Sequence, residues 1–372
     1  MSAPTPLVAS LVTLLASLSS DSADGAPPDS QPPALREVFA GKFDVGVGTG
    51  AVRPSEAALV TRQFSGITPE NSLKMAHLQP TEGTFNFGEA DEMAGFTASN
   101  GMKLYGHTLV WARDDRTPAW FLDDGGKPAT KELLLARLRK HIETVAGRYR
   151  GKVASWDVVN EAIADEDEKY LRPSGWSDRA GEEFIALAFE AAHRADPEAV
   201  LIYNDYGVEQ PKKRAKLLRL LRALKEKHVP VHAVGIQGHW EIDRVPFADI
   251  EATINALRDM GLKVMITELD LDVIPRGGWW ADGGKKRDEL AKLNPYAPAC
   301  PPEVLARQAE QYAGLFRLFV KHADVIERVG FWNLHDGKSW LNYFPWRRTN
   351  HPLLFDREMR PKPAFWKVVE VR

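Results

Sequence analysis

Two glutamates at the ends of apolar runs are the residues in this chain best placed to do chemistry. Glu161 closes Val153-Ala154-Ser155-Trp156-Asp157-Val158-Val159-Asn160-Glu161, and Glu268 closes Lys263-Val264-Met265-Ile266-Thr267-Glu268. A run such as Val264-Met265-Ile266-Thr267 suits burial on both faces. An ionised carboxylate at its end is costly there unless it is paired or working. Two carboxylates facing one another across a cleft are the minimal set for breaking a glycosidic bond. One protonates the leaving oxygen, and the other attacks the sugar or activates water.

The elements that must position them alternate along the chain. Strand-like runs occur at residues 43–50, 64–70, 103–111, 153–161, 199–205, 233–239, 263–270 and 329–335. Amphipathic stretches lie between them at 131–149, 184–195, 214–227, 247–260, 304–322 and 363–371. Residues 131–149 carry Leu134, Leu135, Leu138, Ile142, Val145 and Ala146 on one face. Eight strands alternating with helices predict parallel βα units. Their number and span predict an α/β fold, a closed (β/α)8 TIM barrel forming a single catalytic domain. An open doubly wound sheet is the alternative. Against it, no Gly-rich phosphate fingerprint follows the first strand; Gly46-Val47-Gly48-Thr49-Gly50 is glycine-rich but lacks the spacing of a dinucleotide-binding turn.

In such a barrel, chemistry sits at the C-terminal ends of the strands. Strand two ends in Glu70 and Asn71, with Lys74 just beyond. Strand three ends with His107 and Trp111, strand four with Asn160 and Glu161, and strand five with Asn204, Asp205 and Tyr206. Strand six ends with Gln237 and His239, strand seven with Glu268 and Asp270, and strand eight with Trp332, His335 and Asp336, with Trp340 beyond. Core packing does not explain polar and aromatic groups at one end of so many strands. Strands four and seven face each other across roughly 14 Å in a barrel of radius roughly 7–8 Å. Two Glu side chains reaching inward leave roughly 5–6 Å between carboxyls, near the spacing of about 5–5.5 Å used by retaining glycosidases.

The chain resembles glycoside hydrolase family 10, the endo-β-1,4-xylanases. The resemblance rests on Thr68-Pro69-Glu70-Asn71-Ser72-Leu73-Lys74, Gly106-His107-Thr108-Leu109-Val110-Trp111, Trp156-Asp157-Val158-Val159-Asn160-Glu161-Ala162 and Tyr203-Asn204-Asp205-Tyr206. It continues in Gly235-Ile236-Gln237-Gly238-His239, Ile266-Thr267-Glu268-Leu269-Asp270 and Phe331-Trp332-Asn333-Leu334-His335-Asp336-Gly337-Lys338-Ser339-Trp340. It implies endo-acting, retaining hydrolysis of xylan, with Glu161 as general acid/base and Glu268 as nucleophile. His239, backed by Asp270, would orient the nucleophile, and Gln237 would lie against it and the sugar. Asn160 would bond the sugar 2-hydroxyl. Glu70, Asn71, Lys74, His107 and Trp111 would form the glycone side, with Tyr206 among the substrate contacts. Trp332 and Trp340 would stack on sugar rings. The chain departs from the family pattern after Trp111. There a His and then a Gln are usual, and this chain reads Ala112-Arg113-Asp114-Asp115-Arg116. Ser72 and Met75 also replace a usual acidic residue and Trp. Two rivals remain: a retaining β-1,4-glucanase on the same barrel, and a non-catalytic carbohydrate-binding barrel.

Composition bounds the rest. The 372 residues are 44% hydrophobic and 27% charged, with a net charge of −3. That balance gives no electrostatic case for nucleic acid or an anionic membrane as partner. The sole cysteine, Cys300, excludes an internal disulfide and a cysteine-based zinc site. His335 and Asp336 lack a third ligand at suitable spacing, so neither metal nor cofactor is expected. Residues 7–18 are apolar, too short a run to span a bilayer and suited to a signal-peptide core. Residues 1–24 are therefore read as a signal peptide of a secreted, monomeric enzyme. Residues 25–34 read as a Pro-rich linker and 35–372 as the catalytic domain. The long irregular stretch 275–302 carries Trp279 and Trp280, expected to overhang the cleft. The basic run Lys212-Lys213-Arg214 is read as a solvated helix face.

Overall fold

In the computed structural model, which describes residues 1, 31–274, 276, 292, 294–297 and 299–371, eight parallel strands form one closed ring. They are β1 (Asp44–Thr49), β2 (Gly66–Pro69), β3 (Lys103–Trp111), β4 (Val153–Asn160), β5 (Val200–Asp205), β6 (Ala233–Ile236), β7 (Lys263–Asp272) and β8 (Ile326–Trp332). Each pairs with the next, and β8 pairs with β1 from Asp44↔Arg328 to Gly48↔Trp332, which closes the barrel. Closure removes the exposed edges that an open sheet would leave. Residues 33–372 form one compact unit.

A helix follows each strand: α1 (Pro54–Gln63), α2 (Gly88–Ser99), α3 (Lys131–Arg148), α4 (Glu183–Ala195), α5 (Pro211–Glu226), α6 (Phe247–Asp259), α7 (Pro302–Lys321) and α8 (Pro363–Val369). Helix α3 shows the logic. Thr130 caps it by accepting a hydrogen bond from Leu133 N at 3.2 Å, and Leu134, Leu138, Ile142, Val145 and Ala146 are buried against the strands. Four helices begin with proline at the first position, where its missing N–H costs nothing. Helices α1 and α2 are absent from the sequence reading. Both are short, and α2 (GEADEMAGFTAS) has two glycines and no leucine stripe, so its periodicity is faint. No helix among the described residues is long and apolar enough to cross a membrane.

Three strands depart from their expected bounds in ways that shape the site. Expected strand six ends at Ile236, and Gly238 sits at φ +87°, a conformation open to glycine at little cost. The chain then resumes as a short strand, His239–Glu241, which pairs with Asp270–Asp272. Strand β7 consequently runs on to Asp272, so Glu268 lies inside a strand and not at its end. Strand β8 stops at Trp332 because Asn333 turns to φ +86°. Gly48 on β1 explains the glycine run there: a Cβ at this position would lie 2.6 Å from the Trp332 ring. Trp279 and Trp280, most of the expected signal peptide and linker, and most of residues 275–298 lie outside the described residues.

Candidate active site

Glu161 is the first residue after β4 and has φ +58°. A non-glycine residue in this region is uncommon and costs on the order of 1 kcal/mol or more. Local bonds hold it there. Glu161 N donates to Asn204 O at 2.9 Å, and Arg172 Nε donates to Glu161 O at 2.9 Å. The Tyr203 hydroxyl accepts from Ala162 N and Ile163 N, each at 3.0 Å, and donates to Asp205 Oδ2 at 2.8 Å. The turn sends the carboxylate over the barrel mouth, where it is 5% exposed. Oε1 accepts from Gln237 Nε2 at 3.1 Å and has a long contact from Asn160 Nδ2 at 3.4 Å. Oε2 is buried with no hydrogen-bond partner, and Arg113 Nη1 lies 3.9 Å away.

Glu268 is bonded at both oxygens. Oε1 accepts from Asn204 Nδ2 at 2.8 Å, and Oε2 meets His239 Nε2 at 3.1 Å. The other ring nitrogen of His239 meets Asp270 Oδ2 at 2.9 Å, and that oxygen also accepts from Trp340 Nε1 at 2.7 Å. Burial pushes the His239 imidazole toward neutrality, but Asp270 and Glu268 on its two nitrogens raise its pKa to about 9. Burial pushes Glu268 upward as well. The His239 hydrogen bond, the fields of His107 and His239 and the Asn204 amide outweigh it and hold the carboxyl below its ordinary value. The trio is thus carboxylate–imidazolium–carboxylate, with Glu268 ionised and its lone pairs aimed by fixed donors.

Amides join the two ends. Asn160 Oδ1 accepts from Asn204 Nδ2 at 2.9 Å and Gln237 Nε2 at 3.3 Å. With the Asn160 amide turned over, its oxygen accepts from Trp111 Nε1 at 3.2 Å, but its nitrogen then faces the nitrogens of Asn204 and Gln237. Asn204 Nδ2 is committed to the Glu268 carboxylate, so the first orientation sets fewer donors against donors. Glu161 and Glu268 therefore share one cleft, connected through Gln237, Asn160 and Asn204. The Gln237 side chain bonds Glu161, and its main-chain oxygen accepts from Glu268 N at 2.7 Å. Asn204, in sequence one more polar residue at a strand end, binds the Glu268 carboxylate directly. Its signal was register: it pairs with Asn160 across β4 and β5, in the layer that carries Glu161.

The other expected residues converge on the same mouth. His107 is buried, bonds Asp157 Oδ2 through Nδ1 at 2.8 Å, and has its ring 5.3 Å from that of Trp332 and 6.3 Å from that of Trp111. Lys74 Nζ bonds Asn71 Oδ1 at 3.1 Å and lies 5.0 Å from the Trp111 ring and 5.9 Å from that of Trp332. Burial lowers the pKa of Lys74 and raises that of Glu70, which accepts from Asn333 Nδ2 at 3.1 Å. Trp340 packs one face on Phe344, with rings 4.8 Å apart, and leans on His239 at 4.9 Å. Tyr206 flanks Glu161: its hydroxyl bonds Asp165 and accepts from Arg172 Nη2 at 2.8 Å. Among the described residues no group of three or more His, Cys, Asp or Glu is placed to hold a metal.

The family model for glycosyl hydrolase family 10 matches residues 34–371. The chain belongs to family 10. It is 41% identical to an endo-1,4-beta-xylanase of Geobacillus stearothermophilus, over 91% of this chain and 98% of that protein. It is 38% identical to a beta-1,4-xylanase of Dictyoglomus thermophilum, over 91% of both. Among solved structures, a Paenibacillus barcinonensis xylanase complexed with a conduramine derivative superposes with a TM-score of 0.85 at 34% identity. That match covers 92% of this chain and all of the other.

Two regions flank the site of this family-10 chain. The basic run at the start of α5 is a solvated face at Lys212 but not at Lys213. Lys213 is buried and pairs with Asp205 Oδ1 at 3.0 Å and Asp165 Oδ1 at 2.8 Å, and Lys212 pairs with Asp167. Lys216 donates to the main-chain oxygens of Ala164 and Glu166, and Arg219 stacks on Tyr170 at 3.8 Å. The helix thus clamps the acidic loop that follows Glu161. The second region is the departure after Trp111. Arg113 forks onto Asp115, through Nε to Oδ1 at 2.9 Å and Nη2 to Oδ2 at 3.1 Å, and residues Asp114–Arg116 form a tight helical turn. Asp114 accepts from Gly175 N at 2.8 Å, which ties this turn to the loop beyond Glu161.

Proposed function

We propose that the protein is an endo-β-1,4-xylanase that hydrolyses xylan with retention of anomeric configuration. The observation carrying this reading is the unequal bonding of two carboxylates in one cleft. Glu268, ionised and aimed by His239 and Asn204, suits the nucleophile. Glu161, with one oxygen unbonded, suits the group that holds a mobile proton. In the first step a Glu268 oxygen attacks the anomeric carbon and forms a C–O ester bond. The glycosidic C–O bond breaks, and its oxygen takes the proton from Glu161. In the second step Glu161 takes a proton from water, the water oxygen attacks the same carbon, and the electron pair of the ester bond returns to Glu268. Two inversions give net retention. Asn160, beside both carboxylates, is placed to bond a sugar hydroxyl, and Trp332 and Trp340 give the cleft apolar walls.

Trapping tests the mechanism. A 2-fluoro xylobioside inactivator, proteolysis and mass spectrometry should place the label on the peptide containing Glu268. A label elsewhere, or an α-anomer as first product by proton NMR, rejects it. A second reading, activity on β-1,4-glucan as well, is favoured by a relative named thermostable celloxylanase from Thermoclostridium stercorarium, 38% identical over 91% of this chain. Rates on xylan and carboxymethylcellulose separate the two. We also infer export from the apolar run at residues 7–18. A mature N-terminus still at Met1 would reject that.

A further inference from the structure

Glu161 Oε2 is buried without a hydrogen-bond partner, and an unbonded carboxylate oxygen in such a place is costly unless a charge compensates it. The charged and titratable groups around Glu161 come from five elements. Lys74 after β2 bonds Asn71 and is shared in field with Glu70 and Glu268. Arg172, in the loop after β4, bonds the Glu161 main chain and Tyr206. Asp205 and Tyr206, at the end of β5, act on Glu161 electrostatically and are satisfied by Lys213 and by Asp165 and Arg172 respectively. Glu268 on β7 is reached only through Asn204, Asn160 and Gln237. The remaining group is Arg113, after β3, whose Nη1 stands 3.9 Å from Oε2.

We propose that Arg113 is a positioning residue that steadies the Glu161 carboxylate and sets the pH above which Glu161 no longer delivers a proton. The proposal rests on reading Glu161 as the acid/base. The geometry supports it in two ways. The Asp115 fork occupies Nε and Nη2 and leaves Nη1 as the edge turned to Glu161. The turn that carries Arg113 is anchored on both sides, by Asp114 to Gly175 and by Thr117 Oγ1, which accepts from Trp176 Nε1 at 2.9 Å. A guanidinium beside a carboxylate favours its charged form. It therefore opposes the first step at high pH, where Glu161 must be protonated, and helps the second, where Glu161 must be ionised. Asp115 and the partial exposure of Arg113 temper the effect.

The test is the pH profile of kcat/KM on an aryl xylobioside with a poor leaving group, for wild type, Arg113→Met, Arg113→Gln and Arg113→Lys. Removing the cation should move the alkaline limb up by about half to one pH unit while the acidic limb, set by Glu268, stays. Arg113→Lys should keep the limb near the wild-type position. On an activated aryl xylobioside, where the second step limits, kcat of Arg113→Met should fall about fivefold. An unmoved alkaline limb in both neutral variants, or two limbs moving together, overturns the proposal. Failure of the underlying reading shows separately. Glu161→Ala would then lose equally on poor and activated leaving groups, whatever the Arg113 variants do.

Discussion

The surroundings of Glu161 and those of Glu268 are built on opposite plans. Glu268 sits inside a strand, has a hydrogen bond at each oxygen, and faces a His held between two carboxylates. Glu161 sits just past a strand in a left-handed turn, has a bond at only one oxygen, and looks toward a cation that the loops supply. One barrel thus bonds one carboxylate at both oxygens and leaves the other with an oxygen open. The two glutamates differ here by their neighbours and not by their residue type.

Loss of the nucleophile breaks the contrast most severely. Glu268→Gln should cut kcat by at least about 10⁴-fold on every substrate, because no neighbouring group can form the ester. Circular dichroism should show an intact fold, and residual turnover near wild type would move the nucleophile elsewhere. Glu161→Ala should lose about 10²–10⁴-fold on xylan and far less in the first step on activated aryl glycosides, which need little protonation. His239→Asn removes a charge-assisted bond worth about 1.5–3 kcal/mol, so kcat should fall roughly 10- to 100-fold. The acidic limb should move up, because the group that holds the Glu268 carboxyl low has gone.

Tyr203→Phe tests the other side. It leaves the buried Ala162 N–H without an acceptor and the Ile163 N–H with only a long contact to Asp205 Oδ2 at 3.4 Å, and should lower stability by about 1–3 kcal/mol in denaturant titration. Activity should fall with it, since the same hydroxyl fixes the turn bearing Glu161. The smallest effect is on stability against pH. The His239 pKa is raised above its unfolded value near 6.5, so its contribution is full below that and is lost as pH rises through about 9. Glu268 is lowered, so its contribution is present above about 4.5 and is lost as pH falls through the depressed value. The stability difference between wild type and His239→Asn should therefore shrink above pH 9. A difference that stays constant to higher pH would mean that His239 is not held as the imidazolium.

The barrel was legible because its strands are apolar runs of high contrast and its larger helices carry leucine stripes. Helices α1 and α2 were missed because a short helix with small residues has little periodicity to read. The site was legible at its carboxylates, since an acidic residue beside a buried run stands out. Partners were harder. Asn204 looks like one more polar strand end until the pairing of β4 and β5 sets it beside Asn160. The break at Gly238, which lets His239 reach both Glu268 and Asp270, depends on backbone angles that one glycine suggests but does not dictate. Lys213 reads as solvated in a basic run. Only the fold shows that the acidic loop has come to lie on it.

The approach of Gly48 to Trp332 has a consequence for which ligands can enter. Strand β1 donates no reactive group, yet its bare α-carbon lets the indole lie flat against the barrel wall. A single methyl there would meet the ring at 2.6 Å and force it to shift. The position of an aromatic wall at the barrel mouth is therefore governed from behind, by a residue with no side chain of its own.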